Sequence, residues 1–171
     1  MAHELRGYHD LWVRFHSLPA GKRYASSEDE HAEVLARHHA VLTALGAPGG
    51  ELLVVTTSWS PSTRPRRRDR QLARSAPNAT LWRSLLLEPD EYGAVWWHLF
   101  VTSVAMLVEL DPLLRLVADD QAGGVILMPR DLSWLYHPYD GGADVIARST
   151  VERDALASRF AGWLSEHPLG L

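Results

Sequence analysis

Cysteine is absent from the 171-residue chain, which excludes a disulfide framework, a cysteine-based zinc site and a thiol nucleophile together. Lysine and asparagine are nearly absent: Lys22 and Asn78 stand alone, and every other basic residue is arginine, a bias expected of a GC-rich bacterial genome. No apolar run approaches the roughly 18 residues of a spanning helix, and Met1 to Phe15 carries Glu4, Arg6 and Asp10. Neither a signal peptide nor a membrane span is expected, and a cytoplasmic location follows as the reading of this sequence. The HExxH, GxSxG, P-loop and GxGxxG patterns are all missing, so neither a metal nor a cofactor is expected.

What is present is ordinary globular composition, 46% hydrophobic and 22% charged, in a length that suits one domain over residues 1–171. The net charge of −4 is unevenly placed. Residues 61–90 are net basic, and the segments on either side are net acidic. Six arginines fall between Arg64 and Arg74 in a stretch without apolar periodicity, which reads as a mobile arginine-rich loop at 61–78.

Leu5, Tyr8, Trp12 and Phe15 recur at helical spacing and predict a first helix ending near His16. Ser27 and Glu30 form a capping box for a second helix, whose stripe is Val34, Leu35, Val41, Leu42 and Leu45 and which ends at Gly46. The two are expected to pack as a hairpin. The β-branched run Leu52 to Thr57 predicts a central strand, and Leu81–Leu87 with Val95–Val101 an antiparallel pair. Asp111 before Pro112 opens a central helix. Val125–Met128, Trp134–Tyr139 and Asp144–Ala147 read as three more strands, the last two joined across Asp140-Gly141-Gly142, with Pro138 pushing its strand to an edge. Ser149 and Glu152 cap a final helix carrying Leu156, Phe160, Trp163, Leu164 and His167 on one face and stopping at Pro168. The expected fold is α+β: a mostly antiparallel sheet of about six strands, an N-terminal helical hairpin, one central helix and a C-terminal helix packed on the sheet.

His16, Lys22, Arg23 and Tyr24 surround the loop after the first segment and could receive an anion; His137 and Asp140, beside the glycine turn, complete the candidate binding set. No residue is assigned a catalytic role. His38 shares the apolar stripe of the second helix, so it is expected to be buried, neutral and hydrogen-bonded, with His39 more exposed. Asp119 and Asp120 stand at a helix C-terminus, where carboxylates are unfavourable. The adjacent Trp96 and Trp97 cannot share one face of a strand.

The strings His16-Ser17-Leu18-Pro19, Lys22-Arg23-Tyr24, Tyr136 to Gly142 and Trp163 to Pro168 resemble those of a group of small uncharacterised bacterial proteins that share a domain of unknown function. The resemblance implies a bacterial, single-domain protein and transfers no functional residue. On the sequence, the protein reads as a non-enzymatic binding or interaction protein, regulatory or immunity-like, whose partner is another bacterial protein and not a nucleic acid or a membrane. The alternative is a small hydrolase or ligand-binding enzyme that brings His16, His38 and Asp140 into one pocket. The oligomeric state stays open.

Overall fold

The computed structural model describes residues 7–8, 10–86 and 95–165. Its centre is one antiparallel sheet of seven strands. In chain order the elements are β1 (Trp12–His16), α1 (Glu28–Ala44), β2 (Leu52–Ser60), α2 (Arg70–Ser75), β3 (Thr80–Leu86), β4 (Trp96–Val104), α3 (Asp111–Ala118), β5 (Ile126–Pro129), β6 (Leu135–Tyr139), β7 (Gly142–Ile146) and α4 (Thr150–Arg159). The strands lie in the order β1-β7-β6-β5-β2-β4-β3. The α+β class and the antiparallel sheet are therefore as the sequence predicts, with one strand more than expected.

The first segment is the main departure. It is a strand, β1, paired with β7 in the register Phe15↔Ala143 and Val13↔Val145, so there is no N-terminal helical hairpin. Trp12 and Phe15 are three apart, which fits a helix, but Val13 and Phe15 alternate with Arg14 and His16, which fits a strand. The alternating pair wins because the β7 edge accepts it and buries both side chains. Leu5 lies outside the described residues.

One sheet face is covered by helices. Val13, Phe15, Val54, Leu127, Tyr136 and Val145 point into a core closed by Val41, Leu42 and Leu45 of α1, Leu113, Leu114 and Val117 of α3, and Leu156 with Phe160 at the end of α4. The helix starts follow their capping residues. Ser27 Oγ accepts the Glu30 amide at 3.2 Å, and Ser149 Oγ accepts the Glu152 amide at 3.2 Å. Gly46 ends α1 at φ 84°, the left-handed conformation that glycine adopts without a Cβ clash. Asp111 sits inside the first turn of α3 and its carboxylate takes His39 Nε2 at 2.7 Å in place of a backbone cap.

Two further expectations change. α4 stops at Arg159, and Phe160 leads into a short 3₁₀ turn, Ala161–Trp163; His167 and Pro168 lie outside the described residues. Pro138 stands in β6, an interior strand between β5 and β7, not at a sheet edge. β5 pairs with β6 only at Leu127↔Tyr136, so Pro138 lies beyond β5 and its missing N–H removes no ladder bond there.

Candidate functional site

Three of the strings singled out in the sequence meet at one corner, where β1 runs into the loop before α1. The Ser17 amide donates to the Gly141 carbonyl at 3.0 Å. Asp140, in the β6–β7 turn, accepts Arg23 Nε at 2.5 Å and Tyr24 Oη at 3.0 Å. Gly142 must be glycine, because a Cβ there would stand 2.0 Å from the Phe15 carbonyl oxygen. The corner is thus a junction in which β1 is pressed against the β6–β7 hairpin and locked by an ion pair.

The candidate binding residues divide at this corner. Arg23, Tyr24 and Asp140 do come together. Lys22 turns away to Glu30, at 2.5 Å from Oε1. The His16 ring lies against Gly21 beside a cavity of ≈ 320 Å³ that Leu18, Ala20, Gly162 and Leu164 also line. The His16 carbonyl accepts Arg37 Nη1 at 3.1 Å, and the Arg37 guanidinium lies over the Trp163 ring. His137 is on the sheet face away from the helices, one turn of the pleat from Tyr139. It stacks on Tyr139, stands opposite Asp144 in the ladder, and burial pushes its imidazole below the usual histidine range. Beside it the buried Asp144 accepts both arms of Arg14, at 2.8 and 3.0 Å, and the Trp12 indole N–H at 3.1 Å.

His38 is buried on the core face, as its helical spacing predicts, and His39 is more exposed. Its Nδ1 lies 2.5 Å from Tyr136 Oη and its Nε2 3.4 Å from Ser17 Oγ. Phenol is the stronger donor, so the chemistry favours Tyr136 donating to Nδ1 and the Nε2–H donating to Ser17. Burial, with His39 adding a like charge, holds the imidazole down at about 4. Both ring nitrogens are occupied by neighbours other than His16 and Asp140, so these three side chains do not form one hydrogen-bonded set. Among the described residues no group of three or more histidine and acidic side chains is placed to hold a metal ion, and no helix is long and apolar enough to cross a membrane. Asp119 is relieved of its unfavourable helix end by His31 Nε2 at 2.9 Å.

The opposite end of the sheet has a different character. β3 is an edge strand exposed along almost its whole length, and Trp82, Leu81, Leu85 and Leu86 are 58%, 46%, 40% and 51% exposed. Trp59 of β2, in register with Trp97 of β4, is 73% exposed, and Leu85 continues the row across β3. The segment expected as a loop at 61–78 contains α2, and Leu72 and Ala76, four residues apart, are buried. Asp69 caps α2, accepting the Gln71 and Leu72 amides. Arg68 stacks over Phe100, 5.2 Å from the ring centroid, and donates to the Leu72 and Ala76 carbonyls. Below it the fully buried His98 bridges Ser60 and Ser84, at 2.9 and 2.8 Å, tying β2, β4 and β3 together. This wing is a built part of the fold with an apolar surface. The sequence pattern hid it, because the exposure of Trp59 and Trp82 depends on register and on where the helices stop.

The family described as a domain of unknown function, DUF3885, matches residues 1–168. The chain belongs to this family. The match spans every element described above, from β1 to the turn after α4, so corner and wing are parts of one family domain. Comparison with curated proteins and with solved structures finds no match.

Proposed function

We propose that this DUF3885 protein is a non-enzymatic binding module, cytoplasmic and of a regulatory or immunity kind, in which binding another protein is itself the activity. The observation that supports the reading is the wing, where Trp59 and Leu85 stand exposed in one cross-strand row with Trp97 between them, Trp82 is exposed at the β3 bulge, and Leu81 and Leu86 are exposed on the other face of the same edge strand. Scattered apolar residues need no explanation on a protein surface, but five exposed apolar residues concentrated at one sheet edge, two of them tryptophans, have the composition of an interface centre. The polar groups of the corner, by contrast, are engaged with one another: Asp140 with Arg23 and Tyr24, His38 with Tyr136 and Ser17. They serve to hold β1 and the β6–β7 hairpin in place and leave the recognition to the other end.

The test is a pull-down from the native host with the parent protein and with a Trp59→Ala/Trp82→Ala/Leu85→Ala variant whose fold is checked by circular dichroism. The reading expects a protein retained by the parent and lost by the variant. Equal retention by both would contradict it.

A further inference from the structure

The wing differs from the rest of the surface in charge as well as in polarity. Elsewhere among the described residues all the arginines but Arg159 are matched: Arg14 with Asp144, Arg23 with Asp140, Arg37 with Glu33, Arg115 with Glu28, Arg130 with Glu51, Arg148 with Glu152 and Arg153 with Asp154. Around the wing, Arg64, Arg66, Arg67, Arg70, Arg74 and Arg83 are exposed, and none has a carboxylate partner among the described residues. The one acid within this segment, Asp69, is committed to capping α2. In a chain of net charge −4, unmatched arginine is thus concentrated next to the exposed tryptophans and leucines. Exposed like charges repel one another, and a negatively charged partner would relieve them.

The shape of the partner follows from β3. Among the described residues it is the last strand in the sheet order, with β4 on one side only, and there its outer backbone N–H and C=O groups are available to a further strand. An extended chain laid along it would gain ladder hydrogen bonds and meet Leu85 on one face of the sheet and Leu81 and Leu86 on the other. Trp59 and Trp82 have faces on which bases can stack, but the open ladder groups of β3 match a peptide backbone and not a sugar–phosphate chain, which favours protein over single-stranded nucleic acid here. A second copy of this chain fits badly. Full antiparallel overlap of Thr80–Leu86 with itself is centred on Arg83, which would face its own copy, and like charges directly opposite are destabilising.

We propose that β3 is a docking edge for an acidic polypeptide strand, added antiparallel or parallel to the sheet and held by the surrounding unmatched arginines. This rests on the reading of the wing as the binding surface and names the chemistry of what binds there.

The probe is a capped twelve-residue peptide of alternating glutamate and valine, titrated into the full-length protein while tryptophan fluorescence is followed. Controls are the lysine–valine peptide, the glutamate–valine peptide with its six central amides N-methylated, and a twelve-nucleotide oligo-dT; sedimentation of the protein alone reports self-association. The expected result is saturable binding of the glutamate–valine peptide, weakened at least tenfold by N-methylation, by raised salt and by Arg66→Glu/Arg67→Glu/Arg83→Glu, with no binding of the lysine peptide. Binding of oligo-dT in place of the peptide, or a dimer that Arg83→Glu abolishes, would overturn the acidic strand and keep the wing as a binding surface. No response of the tryptophans to any probe, with the protein monomeric, would contradict both.

Discussion

The Tyr136 hydroxyl lies 2.5 Å from His38 Nδ1, and both side chains are buried, so a strand in the middle of the sheet is joined to α1 by one polar contact inside an apolar core. Removing the hydroxyl leaves a buried ring nitrogen without a partner, which costs more than the bond itself contributes. Tyr136→Phe should therefore lower stability by about 1–3 kcal/mol in urea unfolding. Adding His38→Leu should recover part of the loss, since both polar partners are then gone; a double variant as unstable as the sum of the two single changes would contradict the pairing.

The same histidine sets a pH dependence. Its folded value of about 4 lies below the 6.5 of an ordinary imidazole, so as pH falls the unfolded chain takes up the proton first. The contribution of neutral His38 is fully present above pH 6.5 and is lost as pH falls from 6.5 toward 4. The shift corresponds to about 3 kcal/mol over that window. Urea midpoints at pH 7 and pH 5 should fall in the parent and fall less in His38→Gln; parallel falls would show that other groups carry the effect.

Gly142 tests the corner. A methyl group there would meet backbone, the Phe15 carbonyl, at 2.0 Å, and no side-chain rotation can relieve it. Gly142→Ala should separate β1 from β7 and cost at least the 1–3 kcal/mol typical of overpacking, about the size that shifts a thermal midpoint by several degrees. Amide exchange should rise first in Val13 and Phe15. A variant with parental stability and parental exchange in β1 would show that the junction yields easily.

Leu72 tests whether the arginine segment is part of the fold. Its side chain is buried in the main core although the segment around it is rich in arginine, so Leu72→Ala should cost about 2–5 kcal/mol, as truncation of a buried leucine does. Trypsin should still cut at the exposed Arg66 or Arg67 before any site in α1. A neutral Leu72→Ala would mean that α2 does not support the sheet.

The sequence exposed those features that depend on neighbours in the chain. Ser27, Ser149 and Gly46 mark helix ends through local hydrogen bonds and local φ, the β6–β7 turn is written in Asp140-Gly141, and His38 follows from a helix's own periodicity. What escaped depends on distant partners. Trp12 to Phe15 fits two periodicities, and only β7, some 130 residues away, decides between them. Leu72 gives a single apolar position in an arginine run, too little for a period to show. Arg23, Tyr24 and Asp140 group as polar residues in the sequence, but that Lys22 joins Glu30 and His137 stands beside Asp144 follows from tertiary geometry alone.

The central claim, that recognition belongs to the wing and not to the corner, is tested most directly by the indole N–H signals in NMR spectra as the glutamate–valine peptide is added. Trp59 and Trp82 stand in solvent at the wing, Trp134 is buried in the core, and Trp12 is held by Asp144 at the opposite edge of the sheet. The account predicts saturable shifts of the Trp59 and Trp82 signals with Trp12 and Trp134 unmoved, and loss of those shifts in Arg66→Glu/Arg67→Glu/Arg83→Glu. Shifts confined to Trp12, with the wing tryptophans silent, would contradict it.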